Sequence, residues 1–139
     1  MTENRILAID YGKKRVGLAI TDPLNIFAYP YDTIQNDHYL IKTLAGIISE
    51  MNVAKIIIGD PVREDGKESV IKKDIDKFVK ELSKLVNIDI IFVDERYTSE
   101  LAKQRIIESV PSKKKRRDKS LLDKNAAAIM LEDYLREIS

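Results

Sequence analysis

The chain has 139 residues, of which 44% are hydrophobic and 34% are charged, and its formal net charge is +1. This composition predicts one folded domain over residues 1–139 and argues against a disordered chain. The absence of cysteine excludes disulfide and thiolate chemistry. Neither an apolar run of about 18 residues nor a signal peptide is recognisable, which predicts a cytoplasmic protein without a membrane partner.

Strand-like segments open the chain. The continuous apolar run 6–9 predicts a strand covered on both faces, and the run 16–20 predicts a second strand that forms a hairpin with the first. Residues 29–34 predict a third strand. We expect Gly12 to adopt a positive φ in the hairpin turn. Gly17, inside a strand, predicts either a bulge or the close approach of another part of the backbone.

Helices and strands then alternate. Apolar residues at helical spacing predict helices over residues 40–51, 70–86 and 98–110, with Asn36 or Asp37 capping the first. Strands are predicted over 53–58 and 88–93, and a polar loop around Gly66. Ser120 and Asp123 resemble a capping box at the start of a last helix.

The element order β-β-β-α-β-α-β-α-α defines the predicted fold. Right-handed crossovers through the helices make the first, fourth and fifth strands parallel, while the leading hairpin adds antiparallel strands. We therefore expect an α/β domain with a mixed five-stranded sheet and helices on both faces.

Several carboxylates follow the predicted strands. Asp10 ends the first strand, Asp60 follows the fourth, and Asp94 and Glu95 follow the fifth. The carboxyl ends of parallel strands share one sheet edge, which is where open α/β sheets hold their sites. Each acid could also serve an ordinary structural role, such as a turn or an ion pair with Arg96, but their joint placement favours a site.

Asp123 falls on the predicted buried face of the last helix. Ala126 and Ala127 lie three and four residues further on, and their small size would let this helix approach the sheet closely. A buried carboxylate must be paired or must bind a metal, unless Asp123 only favours the helix start through the dipole. Oxygen ligands suit Mg²⁺ or Mn²⁺, whereas a chain with no cysteine and one histidine does not favour zinc.

Basic residues form local clusters despite the small net charge. Clusters of this kind bind phosphates by charge without reading base sequence. For the run at residues 113–117, a solvated loop is an equal alternative. The predicted nucleic-acid contacts are Lys13, Lys14, Arg15, Arg96, Thr98, Ser99, Lys113, Lys114, Lys115, Arg116 and Arg117.

The segment Asp10-Tyr11-Gly12-Lys13-Lys14-Arg15-Val16-Gly17 resembles the opening signature of the YqgF (RuvX-like) family of pre-16S ribosomal RNA nucleases and Holliday-junction-resolvase-like proteins. Residues 58–61, residues 94–99, and Asp123 followed by two alanines match further motifs in order. At position 60 the family usually has an apolar residue, where this chain has Asp60.

This resemblance implies a ribonuclease-H-like nuclease domain with Asp10, Glu95 and Asp123 as catalytic acids and metal ligands, and with Asp60 and Asp94 as further candidate ligands. It implies a metal-dependent endonuclease with a two-metal carboxylate mechanism, which processes the 5′ end of precursor 16S ribosomal RNA in contact with ribosomal particles. The alternatives are a Holliday junction resolvase acting on branched DNA as a symmetric dimer, a non-catalytic nucleic-acid-binding module, and a nucleotide-binding protein of the actin and sugar-kinase type. The last alternative needs a second lobe that a domain of this size does not contain.

Overall fold

The computed structural model describes residues 4–60, 70–94 and 119–138. In these ranges five strands form one sheet: β1 (Arg5–Tyr11), β2 (Arg15–Thr21), β3 (Ala28–Gln35), β4 (Val53–Asp60) and β5 (Asp89–Asp94). The described residues also form three helices: α1 (Leu40–Glu50), α2 (Val70–Leu85) and α3 (Lys119–Ile138). No helix within the described ranges is long and apolar enough to cross a membrane.

The strands lie in the order β3-β2-β1-β4-β5. β1 pairs antiparallel with β2, and β2 pairs antiparallel with β3. β4 pairs parallel with both β1 and β5. The predicted mixed five-stranded sheet, with a leading hairpin and parallel later strands, is therefore confirmed. The predicted helix over 98–110 and the loop around Gly66 lie outside the described residues.

Two cores cover the two faces of the sheet because side chains alternate along each strand. Leu7 and Ile9 pack on the face covered by α1 and α2, whereas Ile6 and Ala8 pack on the face covered by α3. Buried helix residues on the first face are Leu40, Leu44, Ile48, Ile75, Phe78 and Leu82. Those on the second face are Ala127, Ala128, Met130, Leu131 and Tyr134. Helices on both faces are thus confirmed.

The connection from β2 to β3 is held by two polar side chains. Thr21 is buried, and its hydroxyl accepts a hydrogen bond from the Ile6 backbone N–H at 2.9 Å and donates one to Asn25. The Asp22 carboxylate accepts the backbone N–H of Phe27 at 2.6 Å and that of Ile26 at 2.8 Å. This loop therefore has a defined shape although its side chains are largely exposed.

Three local predictions were wrong. The N-cap of α1 is Tyr39, which makes no side-chain capping bond, while the Asp37 carboxylate accepts the Tyr39 N–H from a position before the N-cap. Ser120 lies within the range of α3, whereas the predicted capping box placed it before the helix. Gly12 does not adopt the left-handed φ that was predicted. Glycine is required there for space instead, because a Cβ would lie 2.5 Å from the Arg15 carbonyl oxygen.

Candidate functional site

Asp10 lies on the α3 face of β1, near the carboxyl end of this strand. It follows Ile6 and Ala8 at intervals of two, and both of these residues pack under α3. Across the hairpin, Asp10 pairs directly with Gly17 of β2. Side chains of directly paired residues start about 4.5–5.5 Å apart on the same face, so the Asp10 carboxylate stands next to the space above Gly17.

The space above Gly17 is filled by Asp123 of α3. A Cβ on Gly17 would overlap the backbone carbonyl of Asp123 and would lie 3.0 Å from its Cβ. The predicted close approach at Gly17 is therefore confirmed. The small residues Ala127 and Ala128, both fully buried against the sheet, continue this tight packing along α3. The two strands and the helix thus bring Asp10 and Asp123 to one place.

Arg15 completes the described part of this cluster. It lies two residues from Gly17 and therefore on the same face of β2. Its Nε donates a hydrogen bond to Asp123 Oδ2 at 3.0 Å, and the side chains are 35% and 24% exposed. From the sequence, Arg15 was expected to contact phosphate and Asp123 had no predicted protein partner. The spacing of Arg15 and Gly17 places Arg15 on the α3 face of β2, but no local sequence pattern identifies Asp123 as its partner.

The two described carboxylates fit a hard divalent cation. They are oxygen donors on rigid elements, as Mg²⁺ and Mn²⁺ require. Among residues 4–60, 70–94 and 119–138, no group of three or more histidine, cysteine, aspartate or glutamate side chains is close enough to hold a metal. Asp10 and Asp123 therefore account for two ligands at most, and the third predicted ligand, Glu95, lies outside the described residues.

Asp60 faces the other side of the sheet. It follows Ile56 and Ile58, which pack on the α1 and α2 face, at the same spacing of two. Its Oδ1 lies 3.3 Å from Lys72 Nζ of α2. Lys72 also sits 4.0 Å from the centre of the Phe92 ring. The structure does not bring Asp60 together with Asp10 and Asp123. The backbone of Asp94 pairs with Asp60 at the end of β5.

Lys13 and Lys14 are exposed in the turn that joins β1 to β2, at the same sheet edge as Asp10. Cations at this position can attract a phosphate backbone towards the carboxylates. The remaining predicted nucleic-acid contacts all lie outside the described residues: Arg96, Thr98, Ser99, Lys113, Lys114, Lys115, Arg116 and Arg117.

Proteins with closely similar sequences are named as nucleases. A sequence from Flavobacterium johnsoniae, named "Putative pre-16S rRNA nuclease", is 42% identical over 132 residues, covering 94% of this chain and 95% of its own length. One of the same name from Chlorobium phaeobacteroides is 43% identical over 132 residues, covering 94% and 91%.

Solved structures share the fold. The T. thermophilus RuvC in complex with a Holliday junction substrate has a TM-score of 0.62 at 11% identity, with 96% of each chain covered. The fowlpox virus resolvase in complex with Holliday junction DNA has a TM-score of 0.57 at 16% identity, with 96% of this chain and 98% of the resolvase covered. At these identities the likeness concerns the fold, and it confirms the predicted ribonuclease-H-like architecture.

The model of the family described as "RuvX: Holliday junction resolvase" matches residues 4–137, which is nearly the whole chain. Together with relatives above 40% identity over more than nine tenths of both chains, this match confirms the resemblance seen in the sequence motifs. The chain belongs to the RuvX family of nucleases.

Proposed function

We propose that the chain is a metal-dependent endonuclease that hydrolyses phosphodiester bonds, with Asp10, Glu95 and Asp123 as its catalytic carboxylates within one domain over residues 1–139. The observation that carries this proposal is the pairing of Asp10 with Gly17 directly beneath Asp123. Carboxylates carried by neighbouring backbones can share a divalent cation, which offsets the repulsion between their negative charges.

The cation in this proposal is Mg²⁺ or Mn²⁺, held by Asp10, Glu95 and Asp123, and when bound it supplies activation of the attacking water and stabilisation of the leaving oxygen. The chain itself supplies rigidity. Asp10 is fixed by the pairing of β1 with both of its neighbours, and Asp123 is fixed by the packing of α3 on β2. Carboxylates on packed strands and helices hold their geometry better than carboxylates on loops.

Positively charged residues orient the substrate in this scheme. Lys13 and Lys14 project from the turn beside Asp10. The other predicted contacts are Arg96, Thr98, Ser99 and residues 113–117. Such contacts neutralise phosphates and fix the register of the strand without selecting a base sequence. Asp60 is left out of the proposed ligand set because it contacts Lys72 on the opposite face.

The proposed substrate is precursor 16S ribosomal RNA, cut near its 5′ end. Support comes from relatives named pre-16S rRNA nucleases that align over 94% of this chain. The protein would encounter such a substrate in the cytoplasm and on ribosomal particles. A second candidate substrate is a four-way DNA junction, because the family model and two structural neighbours are described by their action on Holliday junctions.

Both substrates can be compared in one experiment. A precursor 16S RNA fragment and a four-way DNA junction are each incubated with Mn²⁺ or with chelator, using the wild type and Asp123→Asn. We expect Mn²⁺-dependent cutting of the RNA that is lost in the variant. Cutting of the junction alone would replace the RNA assignment with the resolvase assignment. No cutting of either substrate would favour a binding module without catalysis.

A further inference from the structure

The Arg15–Asp123 ion pair occupies a carboxylate that the proposed function needs for metal. Arg15 Nε lies 3.0 Å from Asp123 Oδ2, so one of the two oxygens of this carboxylate already has a cationic partner. The pair is only partly exposed, at 35% and 24% of the two side chains. Solvent therefore screens it less than a surface ion pair.

Arg15 is positioned by the part of β2 against which α3 packs at Asp123. Arg15 and Gly17 share a face of β2, and the backbone of α3 rests on Gly17 at Asp123. The Arg15 side chain therefore lies beside Asp123 whenever α3 is packed on β2. It also adjoins Lys13 and Lys14, so a phosphate attracted to this turn arrives within reach of the same side chain.

A divalent cation and a guanidinium on one carboxylate repel each other. A hydrogen-bonding partner behind a metal ligand can improve metal affinity about tenfold to 100-fold by orienting the ligand. Repulsion between a unit charge and a doubly charged ion a few ångströms apart acts in the opposite direction and is the larger effect at such short distances. Arg15 and the metal therefore compete for Asp123.

From this competition we infer that Arg15 is a displaceable counter-cation: it neutralises Asp123 in the absence of metal, leaves it when the metal binds, and then takes an oxygen of the substrate phosphate. This inference rests on the proposed function. A planar guanidinium suits this exchange because it binds carboxylates and phosphates in the same geometry.

Cooperativity between metal and nucleic acid follows. The phosphate stabilises the released Arg15 and so makes the metal easier to bind. By linkage, the metal raises the affinity for nucleic acid by the same factor. Without substrate the site holds metal weakly, which restricts its full assembly to the complex with nucleic acid.

The test is the affinity of the protein for Mn²⁺ alone, measured from the electron paramagnetic resonance signal of free Mn²⁺. Arg15→Gln removes the competing cation and should tighten Mn²⁺ binding by about fivefold, which is the upper end of what a solvent-accessible ion pair contributes. Lys14→Gln removes the same charge from the exposed neighbouring position and should change the affinity much less. Asp123→Asn should weaken binding.

A second measurement follows the predicted coupling. Anisotropy of a labelled single-stranded phosphorothioate RNA, checked by gel to remain intact, gives its affinity with and without Mn²⁺. The Mn²⁺-induced gain in RNA affinity should be smaller in Arg15→Gln than in the wild type.

Failure of the inference about Arg15 can be distinguished from failure of the proposed metal site. If Asp123→Asn weakens Mn²⁺ binding but Arg15→Gln binds Mn²⁺ no more tightly than the wild type, Arg15 is a fixed support and the inference is overturned while the proposed metal site stands. If the wild type binds no Mn²⁺ either alone or with the phosphorothioate RNA, or if Asp123→Asn binds it as the wild type does, the proposed metal site itself is wrong.

Discussion

Gly17 of β2 lies directly beneath the backbone of Asp123 in α3, at a distance that leaves no room for a side chain. Since Gly17 also pairs with Asp10 in β1, a single position sets how closely the backbones that carry the two carboxylates approach each other. The sheet and α3 are therefore joined at the proposed site itself, and packing there and chemistry there depend on the same residue.

Replacing Gly17 by alanine should damage both stability and activity. The added methyl group would overlap the Asp123 carbonyl, so α3 must shift away from β2. Overpacking of this kind lowers the free energy of unfolding by about 1–3 kcal/mol, measurable by urea denaturation. Cleavage should fall as well, because Asp123 moves relative to Asp10.

Gly46 provides a matched control for this substitution. It lies in α1, and a Cβ there would meet no atom within 4 Å. Gly46→Ala should raise the free energy of unfolding by about 0.5–1 kcal/mol, since alanine is the better helix former. Equal effects of the two alanine substitutions would show that the contact between Gly17 and Asp123 is not tight.

Thr21 should be needed for its hydroxyl rather than for its shape. Thr21→Val keeps the side-chain volume but removes the acceptor of the Ile6 N–H at 2.9 Å. A buried donor left without a partner costs about 1–3 kcal/mol, which thermal unfolding would detect. Thr21→Ser keeps the hydroxyl and should lose less stability than Thr21→Val. A serine variant as unstable as the valine variant would instead indicate that the methyl group matters most.

Asp22 should make stability depend on pH in the acid range. The hydrogen bond from Phe27 N–H, with further ones from Ile26 and Leu24, lowers the pKa of Asp22 below its ordinary value of 3.8. A lowered folded pKa contributes stability that is present above the unfolded pKa and is lost as pH falls through the folded one. The effect is small because these hydrogen bonds are exposed to solvent.

The comparison that checks this dependence is the melting temperature of the wild type and of Asp22→Asn between about pH 6 and pH 2.5. The wild type should be the more stable near neutrality, and the difference should shrink below about pH 4, where the protonated acid resembles the amide. A difference that grows on acidification would contradict the assigned hydrogen bonds.

The sheet, and the edge at which the acidic residues end their strands, could be predicted from the sequence. The face of the sheet on which each acidic side chain lies could not. Asp10 and Asp60 both end strands at one edge, yet Asp10 shares its face with Ala8 and Asp60 shares its face with Ile58. Strands covered on both faces are apolar throughout, so their sequences carry no alternation that marks which side meets which helix. The face follows only from the register.

Ion pairs between distant elements were equally beyond the sequence. Arg15 and Asp123 are 108 positions apart, and no local pattern links a strand residue to a helix residue at that separation. By contrast, the close approach at Gly17 was predictable because a glycine inside an apolar strand commonly marks a bulge or a place where another backbone comes near.

The measurement that tests the central claim most directly is single-turnover cleavage of precursor 16S RNA with Mn²⁺ by the wild type, Asp10→Asn, Asp123→Asn, the double variant and Asp60→Asn, with circular dichroism confirming that each is folded. If Asp10 and Asp123 act on one metal site, each single variant should lose cleavage and the double variant should be little worse than either, because groups that act as a unit are not additive. Asp60→Asn should keep most of the activity, since Asp60 contacts Lys72 on the other face of the sheet. Full metal-dependent cleavage by Asp10→Asn or by Asp123→Asn would contradict the proposed metal site. Complete loss of cleavage in the Asp60→Asn variant would contradict the exclusion of Asp60 from that site.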